Sequence, residues 1–315
     1  MKGETWAKMG PGVEFDLIRR MADRWGDLVQ RAGDDAAVLD VAHGARLVAS
    51  TDTSVEGVHF RREWLTLQEI GYRATVAALS DLAAVAADPI GLLIAATIPA
   101  SVAESIEMLA DGIGMAARDS SCPIVGGDLT GGDRISLTMT VLGAAHAPVD
   151  RAGAKVGQGL WVTGRLGAPG AAVRALLAGE LPHAEHFPRF AHPVARIREA
   201  QWLAERGATA MIDLSDGLSS DARHIAAASG VALEIDVNAV PCVPDVTAQA
   251  AATSGEEYEL LLAAPDEFDV TAFESRFSVP LTRIGSGVEG PAAEVTFMSG
   301  EDRVDLAAGY DHFSA

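Results

Sequence analysis

The stretch TLQEIGYRATVAALSDLAAVAADPIGLLIAATIP, residues 66 to 99, sets the architecture of the N-terminal half of the chain. Its first part repeats apolar residues at spacings of three and four, which predicts a long helix beginning at a Thr66 cap and ending before Pro89. GLLIAATIP then predicts a buried strand. A helix that leads into a buried strand is typical of a mixed α/β layer.

Asp81 lies on the apolar side of this predicted helix. The stripe consists of Leu67, Ile70, Ala74, Ala77 and Asp81, at spacings of three, four, three and four. A buried carboxylate has to be protonated, paired with a base or bound to a metal. The sequence offers no local base, because no Lys or Arg occurs between Arg73 and Arg118.

The same alternation of helices and strands runs through the rest of the chain. The further predicted elements of the first half are a helix over 13–30, strands over 34–41 and 45–51, a helix over 102–120, and strands over 122–127 and 135–145. A second block with its own strands and helices begins near Pro148. We therefore predict an α/β (α+β) fold of two mixed α/β domains, residues 1–147 and 148–315.

The composition narrows the classes of partner. The 315 residues carry a formal net charge of −20, the wrong sign for a bare binder of nucleic acid or anionic membranes. An acidic protein can still bind a polyphosphate when divalent cations lie between the two anions. We therefore expect neither a nucleic-acid nor a membrane partner.

The cysteines and the apolar segments suggest the compartment. Cys122 and Cys242 are the only two cysteines, too few for a disulfide framework or a Cys-type zinc site. The start, MKGETWAKMGPG, lacks the apolar core of a signal peptide, and the apolar region 74–100 is interrupted by acids and prolines. We expect a soluble cytoplasmic protein.

The common nucleotide-binding loops do not account for this chain. GSGVEG, residues 285–290, matches G-x-G-x-x-G, but Pro291 and a strand-like segment follow where a dinucleotide fold needs a helix. No G-x-x-x-x-G-K-[ST] loop is present.

Aspartates instead stand at the ends of predicted strands. Asp34 and Asp35 precede a strand, Asp52 and Asp128 each follow one, and Asp213 and Asp216 flank Ser215 after another. Each of them taken alone reads equally as a cap or turn residue, since Asp favours those places. If they converge, they suit Mg²⁺, which prefers carboxylates, waters and substrate phosphates. Spacing alone leaves both interpretations open.

Seven motifs of the chain, in this order, resemble those of the thiamine-monophosphate kinase family. They are GDDAAVL (33–39), STDTSVEGVHF (50–60), ALSDLAAVAADP (78–89), GGD (126–128), IDLSDGLSSD (212–221), SGEEYEL (254–260) and GYDHF (309–313). The wider superfamily includes aminoimidazole ribonucleotide synthetase and selenophosphate synthetase. The motifs span nearly the whole chain.

The resemblance implies ATP-dependent phosphorylation of thiamine monophosphate to thiamine diphosphate by direct transfer, with several Mg²⁺ ions. By matching motifs, the metal ligands would be Asp35, Ser50, Thr51, Asp52, Asp81, Asp128, Asp213 and Asp216. Gly127, Asp128, Arg151 and Ser215 would lie at ATP, and His59, Glu256 and Tyr310 would contact the thiamine phosphate. Magnesium at Asp35 would also explain why the adjacent pair in GDDAAVL is tolerated.

The resemblance further implies a homodimer. Its N-terminal domains, the ATP/Mg-binding and dimerisation domains, would join their sheets in a shared β-barrel, with ATP in the cleft between the N- and C-terminal domains.

The chain departs from the family in one motif. The family usually has GGEDYEL where this chain has SGEEYEL, so Ser254 replaces a glycine and Glu257 replaces an aspartate. Two alternatives therefore stay open: another ATP-using superfamily member acting on a different acceptor, or a nucleotide-binding regulator that has lost catalysis. A selenophosphate synthetase is disfavoured, because no reactive Cys precedes Asp34.

Overall fold

The computed structural model describes residues 13–29, 39–266 and 268–307, and the chain forms two compact units. The first takes in Met1–Leu82 and Ala87–Ala147, and the second Ala83–Ala86 and Pro148–Ala315. Each unit is built from helices and one sheet, which confirms the predicted mixed α/β fold. The roles assigned to the two domains, and the shared barrel, remain predictions.

The first unit has four strands and four helices among its described residues. In chain order they are α1 Val13–Trp25, β1 Arg46–Val55, α2 Leu67–Ala84, β2 Asp88–Ile98, α3 Ala100–Ala103, α4 Ile106–Asp119, β3 Ile124–Gly131 and β4 Ser136–Ala145. The strand order is β1-β4-β2-β3, so β1 and β3 form the two edges of the sheet. Strands β1, β2 and β3 run in one direction, and β4 runs against them.

One face of this sheet is covered by helices. Along β4, residues 137, 139, 141 and 143 are buried and the alternate residues are half-buried. A Cβ built on Gly143 would lie 2.9 Å from Cδ2 of Leu82, so α2 packs on the buried face. The register pairs Ser50 and Asp52 of β1 with buried residues of β4, which directs those two side chains toward the helices.

Helix α2 begins where its sequence predicts. The Thr66 hydroxyl accepts a hydrogen bond from the Glu69 amide at 3.2 Å, and the Glu69 carboxylate accepts one from the Thr66 amide at 2.8 Å. This reciprocal pair is a capping box. Helices α2 and α4 then approach closely, since a Cβ on Gly112 would lie 1.8 Å from the Gln68 carbonyl oxygen. The cap and this contact fix the helix that carries Asp81.

The second unit contains a larger mixed sheet. Its described elements are β5 Gly159–Thr163, α5 Ala168–Leu177, α6 Phe187–Ala191, α7 Ile197–Glu205, β6 Ala210–Asp213, α8 Leu218–Ser229, β7 Ala232–Asp236, α9 Ala248–Ala252, β8 Leu260–Ala264, α10 Val270–Phe277, β9 Leu281–Val288, β10 Val295–Ser299 and β11 Asp302–Arg303. The strand order is β11-β10-β7-β9-β5-β8-β6, which leaves β6 at an edge. The core includes Leu160, Ile212, Ile225 and Ile235.

Several predicted boundaries were wrong. Asp52 and Asp128 were expected after strands, but both lie within them, because β1 stays paired with β4 and β3 with β2 beyond those positions. The helix predicted over 102–120 is interrupted between α3 and α4. Helix α2 ends at Ala84 and is buried on nearly all sides over residues 70–80, not along one stripe only. The strand predicted over 34–41 falls mostly outside the described residues.

Within the described part of the chain, no helix combines the length and apolarity that crossing a membrane requires.

Candidate active site

A serine and an aspartate predicted as metal ligands meet in the first unit. The Ser50 hydroxyl on β1 donates a hydrogen bond of 2.6 Å to Oδ2 of Asp81 on α2, and both side chains are half-buried. Asp52 follows Ser50 by two residues and therefore shares its face of β1. The structure thus brings an aspartate from the strand and one from the helix to the same side of the sheet.

Thr51 points the other way. Its hydroxyl lies 3.0 Å from that of Thr140, and the hydroxyls of Thr53 and Thr138 make the same contact at 2.9 Å on the face away from the helices. The Thr51 hydroxyl is therefore not directed toward Asp81. If Thr51 holds a metal on the helix side, its backbone carbonyl is the group that would do so.

Gly127 and Asp128 lie at the opposite edge of the same sheet. Asp128 on β3 is opposite Ala95 of β2, which is opposite Thr138 of β4, which is opposite Thr53 of β1. Asp128 therefore lies three strand spacings, about 14 Å, from β1 across the sheet. Asp128 is exposed. Within one chain the sheet therefore does not bring Asp128 to Asp52.

His59 lies in the turn that follows β1. The turn is closed by hydrogen bonds from the Gly57 amide to the Phe60 carbonyl and from the His59 amide to the Val55 carbonyl. The Nδ1 atom of His59 accepts a hydrogen bond of 3.0 Å from the Val55 amide. An accepting Nδ1 places the ring proton on Nε2 when the imidazole is neutral. The turn therefore fixes both the position and the tautomer of His59.

In the second unit, an acidic group gathers where β6 ends. Asp213 is the last residue of β6, and Ser215 and Asp216 follow it before α8. Oδ2 of Asp221, in the first turn of α8, accepts hydrogen bonds from the amides of Asp216 at 3.2 Å and Gly217 at 3.1 Å. Burial, Asp213 and Asp216 together raise the pKa of Asp221 to about 8. Such a concentration of negative charge favours a cation.

The loop that carries Glu256 packs against this segment. We call residues 254–259 the 254–259 loop. Its amides at Glu256 and Tyr258 donate to the carbonyls of Ser215 at 2.7 Å and Leu214 at 2.9 Å, and the Leu214 amide donates to the Glu259 carbonyl at 2.8 Å. The structure therefore brings Glu256 next to Ser215 and Asp216.

The contacts of the second unit hold the backbone at Arg151 beside the start of β6 and the C-terminal end of α8, because the Asp150 carbonyl accepts a hydrogen bond from the Met211 amide at 3.1 Å. The Arg151 carbonyl accepts a hydrogen bond from the Ser229 hydroxyl at the C-terminal end of α8, while Asp216 lies at the N-terminal end. The twelve residues of α8 span about 18 Å. The Arg151 side chain is exposed.

Two predicted site residues, Asp35 and Tyr310, lie outside the described residues. Among the residues that the structure does describe, no three Asp, Glu, His or Cys side chains form a group able to hold a metal ion alone. That donor chemistry fits Mg²⁺, which commonly binds through one or two carboxylates completed by waters and substrate phosphates. Ser50 with Asp81, and Asp213 with Asp216, are donor sets of that size.

Sequence reasoning missed a buried network behind the 254–259 loop. The Glu259 carboxylate accepts hydrogen bonds from Arg196 at 2.6 and 2.8 Å, from Arg189 at 2.6 Å and from the Thr163 hydroxyl at 2.7 Å. Burial alone would raise the pKa of Glu259, but Arg196 and Arg189 outweigh it and lower that pKa to about 2. The only sequence signal is an acid directly before the apolar run LLLAA.

Glu257, two residues earlier, is buried and its two hydrogen-bond donors are not arginines. It is 2% exposed, and its Oε1 accepts hydrogen bonds from the Ser254 hydroxyl at 2.5 Å and the Gly167 amide at 2.6 Å. Its Oε2 is buried and has no hydrogen-bond partner among the described residues. Burial raises the pKa of Glu257 to about 8. At neutral pH this side chain is therefore largely protonated.

We expect Glu257 to make stability depend on pH. Its folded pKa of about 8 exceeds the unfolded value of roughly 4.3, so between these values the folded state holds a proton that the unfolded state has released. The free energy of unfolding should therefore fall as pH rises through this window, by up to about 1.4 kcal/mol per pH unit. Urea unfolding of wild type and Glu257→Gln, carried out from pH 5 to 9, measures this change in the free energy of unfolding.

In that comparison, the stability advantage of the wild type over Glu257→Gln should shrink as pH rises and level off above about 8. The contribution of Asp221 is common to both proteins and cancels from the difference. Glu180→Gln, at an exposed glutamate, is the matched control. Parallel curves for wild type and Glu257→Gln would contradict the prediction.

Known proteins match this chain over nearly its whole length. The family profile described as AIR synthase related protein, N-terminal domain, matches residues 33–145, and that described as AIR synthase related protein, C-terminal domain, matches residues 155–297. Thiamine-monophosphate kinase of Salmonella typhimurium is 35% identical over 96% of this chain and 98% of its own length. That of Escherichia coli K12 is 34% identical, with the same coverage.

Solved structures agree as well. Thiamine-monophosphate kinase from Stenotrophomonas maltophilia matches with a TM-score of 0.80 at 30% identity, over 91% of this chain and 96% of its own. The structure described as "AaThiL complexed with AMPPCP and TMP" gives 0.75 at 27% identity, over 95% and 97%. The chain therefore belongs to the AIR synthase related proteins and, within them, to the thiamine-monophosphate kinase family.

Proposed function

We propose that this protein transfers the γ-phosphoryl group of ATP to thiamine monophosphate, giving thiamine diphosphate and ADP. One observation carries the proposal: the hydrogen bond between Ser50 and Asp81, which holds a half-buried aspartate against the strand that bears Asp52. Carboxylates gathered on one side of a sheet are donors of the kind that Mg²⁺ prefers. The relative described as bound to AMPPCP and TMP supports the choice of the two substrates.

The residue roles are part of the proposal. We assign Mg²⁺ binding to Asp35, Ser50, Thr51, Asp52, Asp81, Asp128, Asp213 and Asp216. We assign ATP binding to Gly127, Asp128, Arg151 and Ser215, and thiamine monophosphate binding to His59, Glu256 and Tyr310. Mg²⁺ would neutralise charge on the phosphates, since Mg²⁺ and carboxylates commonly bind polyphosphates together.

The chain's own residues would bind and orient the two substrates. Phosphoryl transfer demands little covalent chemistry from the protein beyond positioning and charge stabilisation. Asp52 and Asp81 are fixed by a paired strand and a capped helix, and Asp216 is fixed by the carboxylate of Asp221. The closed turn holds His59 with its ring proton on Nε2, and we assign this Nε2–H group as the hydrogen-bond donor to the substrate. These placements suit a direct transfer, which needs no nucleophilic side chain.

We further propose that the active unit is a homodimer. The sheet face away from the helices carries exposed Thr51 and half-buried Thr53, Leu93, Thr140 and Leu142. A sheet face with leucines on it is normally covered, and joining two such faces in a barrel also removes the open edges.

A barrel of this kind would complete the site. Strands β1 and β3 are the two edges and run in the same direction, so a twofold axis along the barrel sets β1 of one subunit beside β3 of the other. That sets the strand of Asp52 beside the strand of Asp128 of the partner subunit, although about 14 Å of sheet separates these strands within one chain. Asp52 lies on the helix-covered face and Asp128 on the face of Thr53 and Thr138, so a shared metal would lie at the seam between the two strands. We propose that each metal site spans this seam.

We place the enzyme in the cytoplasm and assign it small-molecule substrates only. Cys122 and Cys242 are both free thiols, as expected in a reducing compartment. The net charge of −20 opposes binding to nucleic acid or anionic membranes.

The decisive test of the activity is ADP release by purified protein supplied with ATP and Mg²⁺, with and without thiamine monophosphate. Thiamine diphosphate, followed by mass, should form only when all components are present and should stop on addition of a chelator. ATP binding without any thiamine diphosphate would refute the proposed acceptor.

Asp52→Asn and Asp81→Asn should each lower turnover by at least about a thousandfold, because each removes a charge from the proposed metal site. Circular dichroism and the unfolding midpoint should stay close to those of the wild type. Asp27→Asn, at an exposed aspartate after α1, is the matched control and should remain active. Near-normal turnover in Asp52→Asn or Asp81→Asn would remove that residue from the site.

Mixed dimers test whether the site is shared. Asp52→Asn and Asp128→Asn subunits should each be inactive alone, but a heterodimer of the two would contain one site with both aspartates intact. Random reassortment should then restore about one quarter of wild-type activity. Measuring activity after the two variants are unfolded and refolded together checks this. No recovery, with heterodimers verified by mass, would place the two aspartates in unshared sites.

A further inference from the structure

Helix α5 starts without a cap of its own. Its N-cap residue is Gly167, which has a φ of 105° and no side chain to bond the free amides of the first turn. Two of those amides are nevertheless satisfied. The Gly167 amide donates to Oε1 of Glu257 at 2.6 Å, and the Gly170 amide donates to the Ser254 hydroxyl oxygen at 3.0 Å.

This pattern reproduces a capping box from a distant segment. In an ordinary capping box, a Ser or Thr at the N-cap accepts from the amide three residues on, and a Glu at that position accepts from the N-cap amide. Here Ser254 accepts from the amide of Gly170, three residues after the N-cap, and Glu257 accepts from the N-cap amide of Gly167. The Ser254 hydroxyl also donates to Glu257 at 2.5 Å.

The two segments touch too closely for extra atoms. A Cβ built on Gly170 would lie 2.6 Å from the Ser254 hydroxyl oxygen, and one on Gly164 would lie 2.2 Å from Oε1 of Glu259. Real Cβ atoms do not come this near, so both glycines are required by the contact. The 254–259 loop and the start of α5 are therefore packed tightly against each other.

Glu256, in the 254–259 loop, has a strained backbone conformation. Its φ is 59°, in the left-handed region that costs a residue other than glycine about 1 kcal/mol or more. Such a conformation persists only where the surroundings determine it. On one side, the Glu256 amide is bonded to the Ser215 carbonyl; on the other, the flanking Ser254 and Glu257 are bonded to α5.

We propose that Ser254 and Glu257 are a coupled positioning pair that caps α5 from the 254–259 loop and thereby holds Glu256 in place to contact thiamine monophosphate. The role of Glu256 rests on the proposed function. Neither Ser254 nor Glu257 touches the substrate in this proposal; each acts through the backbone of the loop.

The pair also explains the departure of SGEEYEL from GGEDYEL. A glycine at position 254 has no hydroxyl to accept from Gly170, and an aspartate at 257 is one methylene shorter than the side chain that reaches Gly167 here. The two substitutions therefore belong together, because each supplies half of one hydrogen-bonded box.

The test compares Ser254→Ala, Glu257→Ala and the double variant with wild type. Each single variant should raise the KM for thiamine monophosphate about tenfold, while the KM for ATP changes by less than about twofold because Asp221 still holds Asp216. The double variant should be little worse than the worse single one, since the pair acts as one unit. Glu257→Gln, which keeps a carbonyl acceptor, should retain near-normal KM values.

Hydrogen exchange supplies a readout that does not depend on activity. In Ser254→Ala, the Gly170 and Glu256 amides should exchange faster together, although only the first is bonded to the lost hydroxyl. Thr253→Ala removes a neighbouring hydroxyl that bonds within α9 and should leave both amides protected.

Additive effects of the two substitutions, or faster exchange at Gly170 with Glu256 unchanged, would overturn the coupled pair. If these variants are less stable but have an unchanged KM for thiamine monophosphate, the pair only caps α5 and does not position Glu256. That result would also overturn the proposal. Coupled exchange in a protein whose wild type makes no thiamine diphosphate would instead refute the proposed function, while supporting the pair's hold on the loop.

Discussion

The placement of acidic side chains inside the fold is the constraint on which the site depends. The chain has 44 acidic and 24 basic side chains of Asp, Glu, Lys and Arg, so 20 carboxylates have no cationic side chain of their own to pair with. On the surface this costs little, because water and salt screen exposed charges. Beneath a sheet it costs several kcal/mol for each ion that is left uncompensated. Where the fold buries acids, something else has to stabilise them.

The second unit shows two solutions side by side. Glu259 remains ionised because two arginines and a threonine hydroxyl surround it. Glu257, two residues away, accepts hydrogen bonds from a serine hydroxyl and a backbone amide but from no arginine, and its burial raises its pKa so that it keeps a proton instead. Asp81 in the first unit is held by a serine hydroxyl. For the aspartates of the proposed site, a divalent cation would be a third solution, and it would bring the substrate phosphates with it.

The sequence predicted the parts of the site that depend on local pattern. Spacing alone indicated that Asp81 interrupts an apolar stripe, and the Thr66 cap follows from side-chain chemistry. Pattern could not show that Ser50 is the partner of Asp81, because the strand was expected to end at Thr51. Only the pairing of β1 with β4 carries it on to Val55 and sets Ser50 and Asp52 on one face.

The features of the site that the sequence did not predict depend on contacts between residues far apart in the chain. Nothing in the spacing of Asp52 and Asp128 indicates opposite edges, since the strand order β1-β4-β2-β3 does not follow the chain. Likewise, the bond between Ser254 and the start of α5 joins residues 84 positions apart. A sheet with polar site residues on both edges cannot bring them together by itself, however accurately each strand is placed. The proposed closure against a second copy would join those edges, and it would cover the leucines of the open face in the same step.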